Sequence, residues 1–280
     1  MKARLILILS LAVSLLVLVS CGPGEQRPTW AEEFNGDSFD TTVWAKIPRG
    51  PSPWDWHMAS NDELFEVKDG CLTLRAIVNP DTTVDKAPLL TGGLITRMPL
   101  CFGYGKLEIR AKLEGTGGGW PAIWMMPVDD GEDSSSDPYW DPYDYRCYGE
   151  IDICERLNFE PQAYQTLHTT YNLKPDDDSG QPKSATGAIV PDDFNIYTME
   201  HYRDSICLSI NGVSTITYRK LTHNPEGKEL PTRAQWTFDR NFDLRIDMQV
   251  GAPWPGDAVL EDLPAEMTVD WVRFYAFKDE

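Results

Sequence analysis

Along most of the chain, hydrophobic and polar residues alternate one for one. Leu72-Thr73-Leu74-Arg75-Ala76-Ile77-Val78 and Gly105-Lys106-Leu107-Glu108-Ile109-Arg110-Ala111-Lys112 show the pattern plainly. A period of two sends successive side chains to opposite faces of an extended strand, so each segment predicts a strand with one buried face. Ile206 to Ile216 holds two such runs about Asn211-Gly212, a dipeptide suited to the tight turn of a hairpin. Thr268 to Tyr275 predicts a closing strand. No long stretch combines helical periodicity with caps. Many short strands without interleaved helices predict an all-β domain, either a two-sheet sandwich or a barrel, with no internal repeat and no second domain. Two segments break the alternation. Asp129 to Tyr148, rich in Asp, Ser, Pro and Tyr, reads equally as a solvated insertion and as the wall of a binding cleft. Pro175 to Pro191 reads as a polar surface loop.

The first residues follow another logic. Met1-Lys2-Ala3-Arg4 brings two positive charges before the apolar run Leu5 to Val19, which suits a signal peptide and is short for a membrane span. The run ends in Leu18-Val19-Ser20-Cys21-Gly22, which resembles the bacterial lipobox. That resemblance implies a lipoprotein signal peptide over 1–20, a lipid-modified Cys21, a lipidated tether over 21–28 and a folded domain over 29–280. The protein would then be held to a lipid bilayer without spanning it, at the cell surface or in the periplasm. The competing reading is an ordinary secretory signal with a coincidental cysteine.

Composition narrows the function. The 280 residues are 41% hydrophobic, enough for one sizeable core. A formal net charge of −19 excludes nucleic acid and polybasic membrane contact as partners, because phosphate binding needs clustered Lys and Arg. Ten Trp and eleven Tyr against four His favour flat contact surfaces over a His-rich metal site. Besides Cys21 the chain has Cys71, Cys101, Cys147, Cys154 and Cys207, with no CxxC pair to suggest zinc, and at most two disulfides can form. Cys154, between Ile153 and Glu155, reads as a buried thiol rather than a nucleophile. Nothing bears on oligomeric state, and a monomer is the default expectation.

The candidate chemistry lies in Gly149-Glu150-Ile151-Asp152-Ile153-Cys154-Glu155-Arg156. Glu150 and Asp152 share a strand face while Ile151 and Ile153 point into the core, but Glu155 has the wrong parity. One inserted residue near Cys154, a β-bulge, restores it, and all three acids then meet on one face. Gathering carboxyls in this way costs electrostatic energy, and chemistry supplies a reason for it. Retaining glycoside hydrolysis needs a nucleophilic carboxylate and an acid/base carboxyl about 5–5.5 Å apart. The bland alternative is a solvated acidic edge strand.

Glu150-Ile151-Asp152-Ile153-Cys154-Glu155 resembles the E-x-D-x-x-E motif of glycoside hydrolase family 16, in its bulged, laminarinase-like form. Further segments resemble the family's strands in the same order: Trp30 to Gly36, Phe102 to Arg110, Gly119 to Pro127, Val250 to Gly256 and Val269 to Tyr275. The resemblance implies a β-jelly-roll sandwich of two antiparallel sheets with a concave substrate cleft. It implies Glu150 as nucleophile, Glu155 as general acid/base and Asp152 as orienting partner. Trp120, Trp124 and Trp254 would be platforms for sugar rings, with burial in the core as the rival role. Arg97 would reach the sugar at the cleavage point, and His168 would bond the acid/base or the sugar. A structural calcium near Glu33, Gly70 and Asp270 is also implied, with no cofactor for catalysis.

The implied activity is endo-hydrolysis of a β-linked glycan. Arg156-Leu157-Asn158 after the last acid favours lipoprotein endo-β-galactosidases acting on poly-N-acetyllactosamine of mucin-type O-glycans, with endo-β-1,3-glucanase as the alternative. Ala252-Pro253, Asp247-Met248-Gln249 and Tyr148 depart from the laminarinase pattern at the rim that selects sugars. Two rivals remain: a glycan-binding lipoprotein without turnover, and a transglycosylase.

Overall fold

The computed structural model describes residues 27–128 and 148–278. Its described residues form two antiparallel sheets packed face to face, the sandwich rather than the barrel. The strands of the first sheet are β1 (Trp30–Glu32), β3 (Phe65–Lys68), β4 (Cys71–Val78), β5 (Leu89–Thr91), β7 (Gly105–Leu113), β12 (Asn195–His201), β13 (Ser205–Ile210), β14 (Val213–Arg219) and β16 (Ala265–Ala276). They run β14-β13-β12-β7-β16-β4-β3, with β1 also on β16 and β5 on β4. The second sheet runs β11-β10-β9-β8-β15-β6-β2. Its members are β2 (Trp44–Lys46), β6 (Gly93–Thr96), β8 (Gly119–Pro127), β9 (Gly149–Glu155), β10 (Gln162–Thr169), β11 (Ser184–Ala188) and β15 (Phe242–Val250).

The alternating segments fold as their period dictates. Along β7 the odd positions Leu107, Ile109, Ala111 and Leu113 are buried while the charged even positions are half-exposed. The hairpin of β13 and β14 turns on Asn211 and Gly212, both at positive φ (51° and 76°), which Asn and Gly tolerate best. The expectation for Pro175 to Pro191 is corrected, because Ser184–Ala188 forms an edge strand on β10. Its small, weakly strand-forming residues hid it, and Gly187 is needed where a Cβ would come within 2.8 Å of Thr215 Cγ2.

Between the sheets lies one large core to which β9 contributes Ile151, Ile153 and Cys154, all fully buried. Each buried isoleucine contributes roughly 1.5–3 kcal/mol. This hydrophobic anchoring lets the same strand hold acids on its other face. The segment 129–147, most of the expected cleft wall, lies outside the described residues, as do Cys21 and Cys147. Cys71, Cys154 and Cys207 are thiols.

Candidate active site

The bulge falls where parity requires it. On one side of β9, Thr166 pairs with Asp152 and Tyr164 with Glu155, so a single residue of β10 spans Ile153 and Cys154. On the other side, Trp124 pairs with Asp152 while the adjacent Ile123 pairs with Cys154. Glu155 therefore turns to the face of Glu150 and Asp152. All three line a cleft of about 450 Å³ together with Trp54, Trp120, Trp124, Arg245 and Gln249.

Burial raises the proton affinity of every acid in the trio. Asp152 is 3% exposed and Glu155 8%. Desolvation is the main reason that all three carboxyls rise above their ordinary values. Mutual repulsion adds to it, from Asp152 on Glu150 and from Glu155 on Asp152. The site cannot carry three negative charges and holds at least one proton near neutrality. Glu155 is partly relieved by the Trp120 indole N–H, which donates to its Oε1 at 2.8 Å. His168 Nε2 lies 3.2 Å from Asp152 Oδ2, and oxygens of Glu150 and Asp152 with a His168 nitrogen lie within 4.8 Å of one another. Burial lowers the proton affinity of His168, which favours the neutral imidazole.

Several expected positions need correction or sharpening. Of the two partners expected for His168, the acid/base Glu155 or the sugar, it does not take the first: it pairs with Asp152, because it lies opposite Glu150 across the β9–β10 ladder. Trp120 lines the cleft, and Trp254, 48% exposed, sits edge-on to it with ring centroids 5.4 Å apart. Trp124 is 6% exposed and bonds Asp247 Oδ2 at 2.7 Å, so it serves as cleft floor rather than open platform. Arg97 lies outside the cleft lining. It follows the end of β6 with an exposed side chain, and its Nε bonds Trp44 O at 3.2 Å.

The calcium expectation does not fit the donor set. Glu33 is clamped by Arg273 at 2.8 and 2.9 Å, and Asp270 is paired with Arg110. Both carboxylates are already neutralised. Gly70, at φ 77°, serves the β3–β4 turn.

Sequence reasoning missed Trp54 and Arg245, and met Asp247 and Gln249 only as departures at the sugar-selecting rim, without a role in the cleft floor. The last three could have been found, since Phe242 to Val250 alternates strictly and puts Asp243, Arg245, Asp247 and Gln249 on one face. Trp54 comes from a loop distant in sequence, with no periodic signal, and stands edge-on to Trp124 at 4.8 Å.

A jelly-roll sandwich with paired carboxyls and tryptophans in an open cleft belongs to the class of glycan-hydrolysing enzymes. No protein-family model matches the chain. Individual relatives do. The chain is 34% identical over 247 residues to a keratan-sulfate endo-1,4-β-galactosidase of Sphingobacterium multivorum, covering 88% of this chain and 54% of that protein. It is 30% identical over 288 residues to a β-glucanase of Rhodothermus marinus, covering 94% of this chain and 93% of that protein. A solved structure from work on endo-acting O-glycanases, expressed by human gut microbiota to initiate mucin breakdown, superposes with a TM-score of 0.69. That match has 25% identity and covers 90% of this chain and all of that one. The chain belongs to glycoside hydrolase family 16, laminarinase-like branch. It spans about half the length of the keratan-sulfate endo-galactosidase it matches.

Proposed function

We propose that the protein is a retaining endo-glycosidase that cleaves internal β-galactosidic bonds of poly-N-acetyllactosamine, as carried by mucin-type O-glycans. The observation that carries the mechanism is the bulge at Ile153 and Cys154, which turns Glu155 onto the face of Glu150 and Asp152. Glu150 attacks the anomeric carbon as the bond to the leaving oxygen breaks, and Glu155 gives that oxygen its proton. Water then adds to the anomeric carbon under Glu155 as base, and Glu150 departs as carboxylate. Asp152 lies beside Glu150 and shares a proton with it, and Glu150 attacks from the form in which Asp152 holds that proton. His168 fixes the orientation of Asp152.

The galactosidic substrate is supported by the 34% identity to the endo-galactosidase, beside 30% to the β-glucanase. Endo-β-1,3-glucan hydrolysis is the second reading, favoured by the near-complete overlap with the β-glucanase. The test is incubation of the protein with desulfated keratan, mucin O-glycans and laminarin, with identification of released oligosaccharides. Internal cleavage of the first two with retained anomeric configuration supports the proposal. Release from laminarin alone replaces the substrate, and inversion overturns the mechanism. For localisation the proposal is a lipid anchor on Cys21. Cys21→Ala should move the protein from the membrane fraction to the soluble one, and an unchanged distribution would refute the anchor.

A further inference from the structure

The cleft floor one strand beyond the tryptophans holds a polar arrangement that the double displacement does not use. On β15, Asp247 is fully buried. Its Oδ2 accepts the Trp124 indole N–H at 2.7 Å, and its Oδ1 accepts Gln249 Nε2. An ionised carboxylate only accepts hydrogen bonds, and an indole N–H only donates. When Asp247 is ionised, the Gln249 amide therefore commits its nitrogen to Asp247 and turns its oxygen away. Gln249 is 3% exposed and lines the cleft, and its Oε1 is buried without a partner among the described residues. A buried acceptor left unpaired is unfavourable, and a donor brought by a ligand relieves it.

The register shows where that donor must come from. Asp247 lies opposite Ala122, which lies opposite Glu155. Gln249 lies opposite Trp120, the residue that donates to Glu155. β15 is two strand spacings from β9, about 9–10 Å, so Gln249 lies within the reach of a sugar ring or two from the acids. The nearby cation Arg245 is already paired with Asp243 at 3.0 and 3.2 Å and lies over the Trp124 ring. The floor thus offers a neutral acceptor, and its guanidinium is not spare for an anion.

We infer that Gln249, oriented by Asp247, is a specificity-determining hydrogen-bond acceptor for an uncharged sugar bearing an O–H or acetamido N–H donor within a ring or two of the scissile bond. Gln249 contacts the substrate, while Asp247 acts through it as a positioning residue. This deepens the endo-glycosidase proposal and rests on it for the location of the cleavage point.

The experiment pairs protein and substrate changes. N-acetyllactosamine oligosaccharides and their monodeoxy and de-N-acetylated analogues are turned over by the wild-type protein and by Gln249→Met. Deleting one particular donor should cost the wild type roughly tenfold to a hundredfold in kcat/KM. The same deletion should cost Gln249→Met less than twofold. Asp247→Asn provides a second variant. Its new amide donor can take Gln249 Oε1 and present Nε2 to the cleft, so the donor preference should be lost while thermal unfolding stays cooperative. If every analogue loses equally in wild type and Gln249→Met, the inference is wrong. If the wild type leaves N-acetyllactosamine intact but cleaves laminarin, the substrate proposal fails. The same cycle on deoxy laminari-oligosaccharides then decides Gln249 separately. If neither is cleaved, both fall.

Discussion

The indole N–H of Trp120 points at Oε1 of Glu155, 2.8 Å away, and holds down the proton affinity of a carboxyl that burial drives up. The two effects oppose each other, and burial is the larger. Trp120→Phe keeps an aromatic surface for a sugar and removes only the donor. Glu155 should then hold its proton more tightly, so the alkaline limb of the kcat/KM profile moves up by about one pH unit. A profile unchanged in position, with only KM altered, would mean that Trp120 acts on the sugar alone.

Burial of the acids has a thermodynamic counterpart. A carboxyl whose proton affinity is higher in the folded state binds more protons there than in the unfolded chain. Folding stability is then full below the unfolded value, about 4.3 for Glu, and is lost as pH rises through the folded one. Glu150→Gln and Glu155→Gln remove that loss. Each should raise the melting temperature at pH 7 by roughly 2–4 °C and leave it nearly unchanged at pH 4. Turnover should fall by about a hundredfold or more for Glu155→Gln. Calorimetry at the two pH values checks the sign, and a melting temperature that drops at pH 7 would mean the acids support the fold.

The trio of acids was legible because two simple rules conflicted. Strand parity separates Glu155 from Glu150 and Asp152, chemistry requires them together, and only an extra residue satisfies both. The same parity rule, applied to Phe242 to Val250, places Asp247 and Gln249 on the cleft floor, yet those residues stood out only as departures from a family pattern. Arg97 was placed at the cleft by family resemblance, but it follows the end of β6, where its Nε bonds Trp44 O away from the cleft lining. Glu33 and Asp270 were expected at a metal site by family resemblance, and their pairing with Arg273 and Arg110, distant in sequence, cannot be read from local pattern. Trp54 was invisible for the same reason, since a loop reaches the cleft through tertiary packing alone.

Cys154 occupies the bulge but takes no part in the chemistry. It is fully buried on the core side of β9, and burial raises its thiol well above the usual range, so no thiolate is available. Cys154→Ala should cost about 1 kcal/mol of stability from the lost buried volume. It should change kcat/KM less than twofold, and iodoacetamide should not inactivate the native protein. Deleting Cys154 outright is a different perturbation. It restores regular pairing, returns Glu155 to the core side and should abolish turnover even where the protein remains folded by circular dichroism. Activity surviving that deletion would break the link between the bulge and catalysis.

Asp247 gives a separate pH signature, because burial pushes its carboxyl up to about 7 despite bonds from Trp124 and Gln249 that favour the ionised form. In the unfolded chain it titrates near 3.9. Between roughly pH 4 and 7 the folded state therefore binds the extra proton, and stability attributable to this residue declines across that window and levels off above it. Each unit of the difference corresponds to about 1.4 kcal/mol. Asp247→Asn removes the titration, so the difference in unfolding free energy between variant and wild type should shift in the variant's favour as pH rises from 4 to 7. Any constant cost of the altered hydrogen bonds to Trp124 and Gln249 appears equally at every pH and does not disturb the slope. Urea titrations at four pH values suffice. Parallel curves for the two proteins would mean that Asp247 is ionised throughout, its charge fully supported by its two donors.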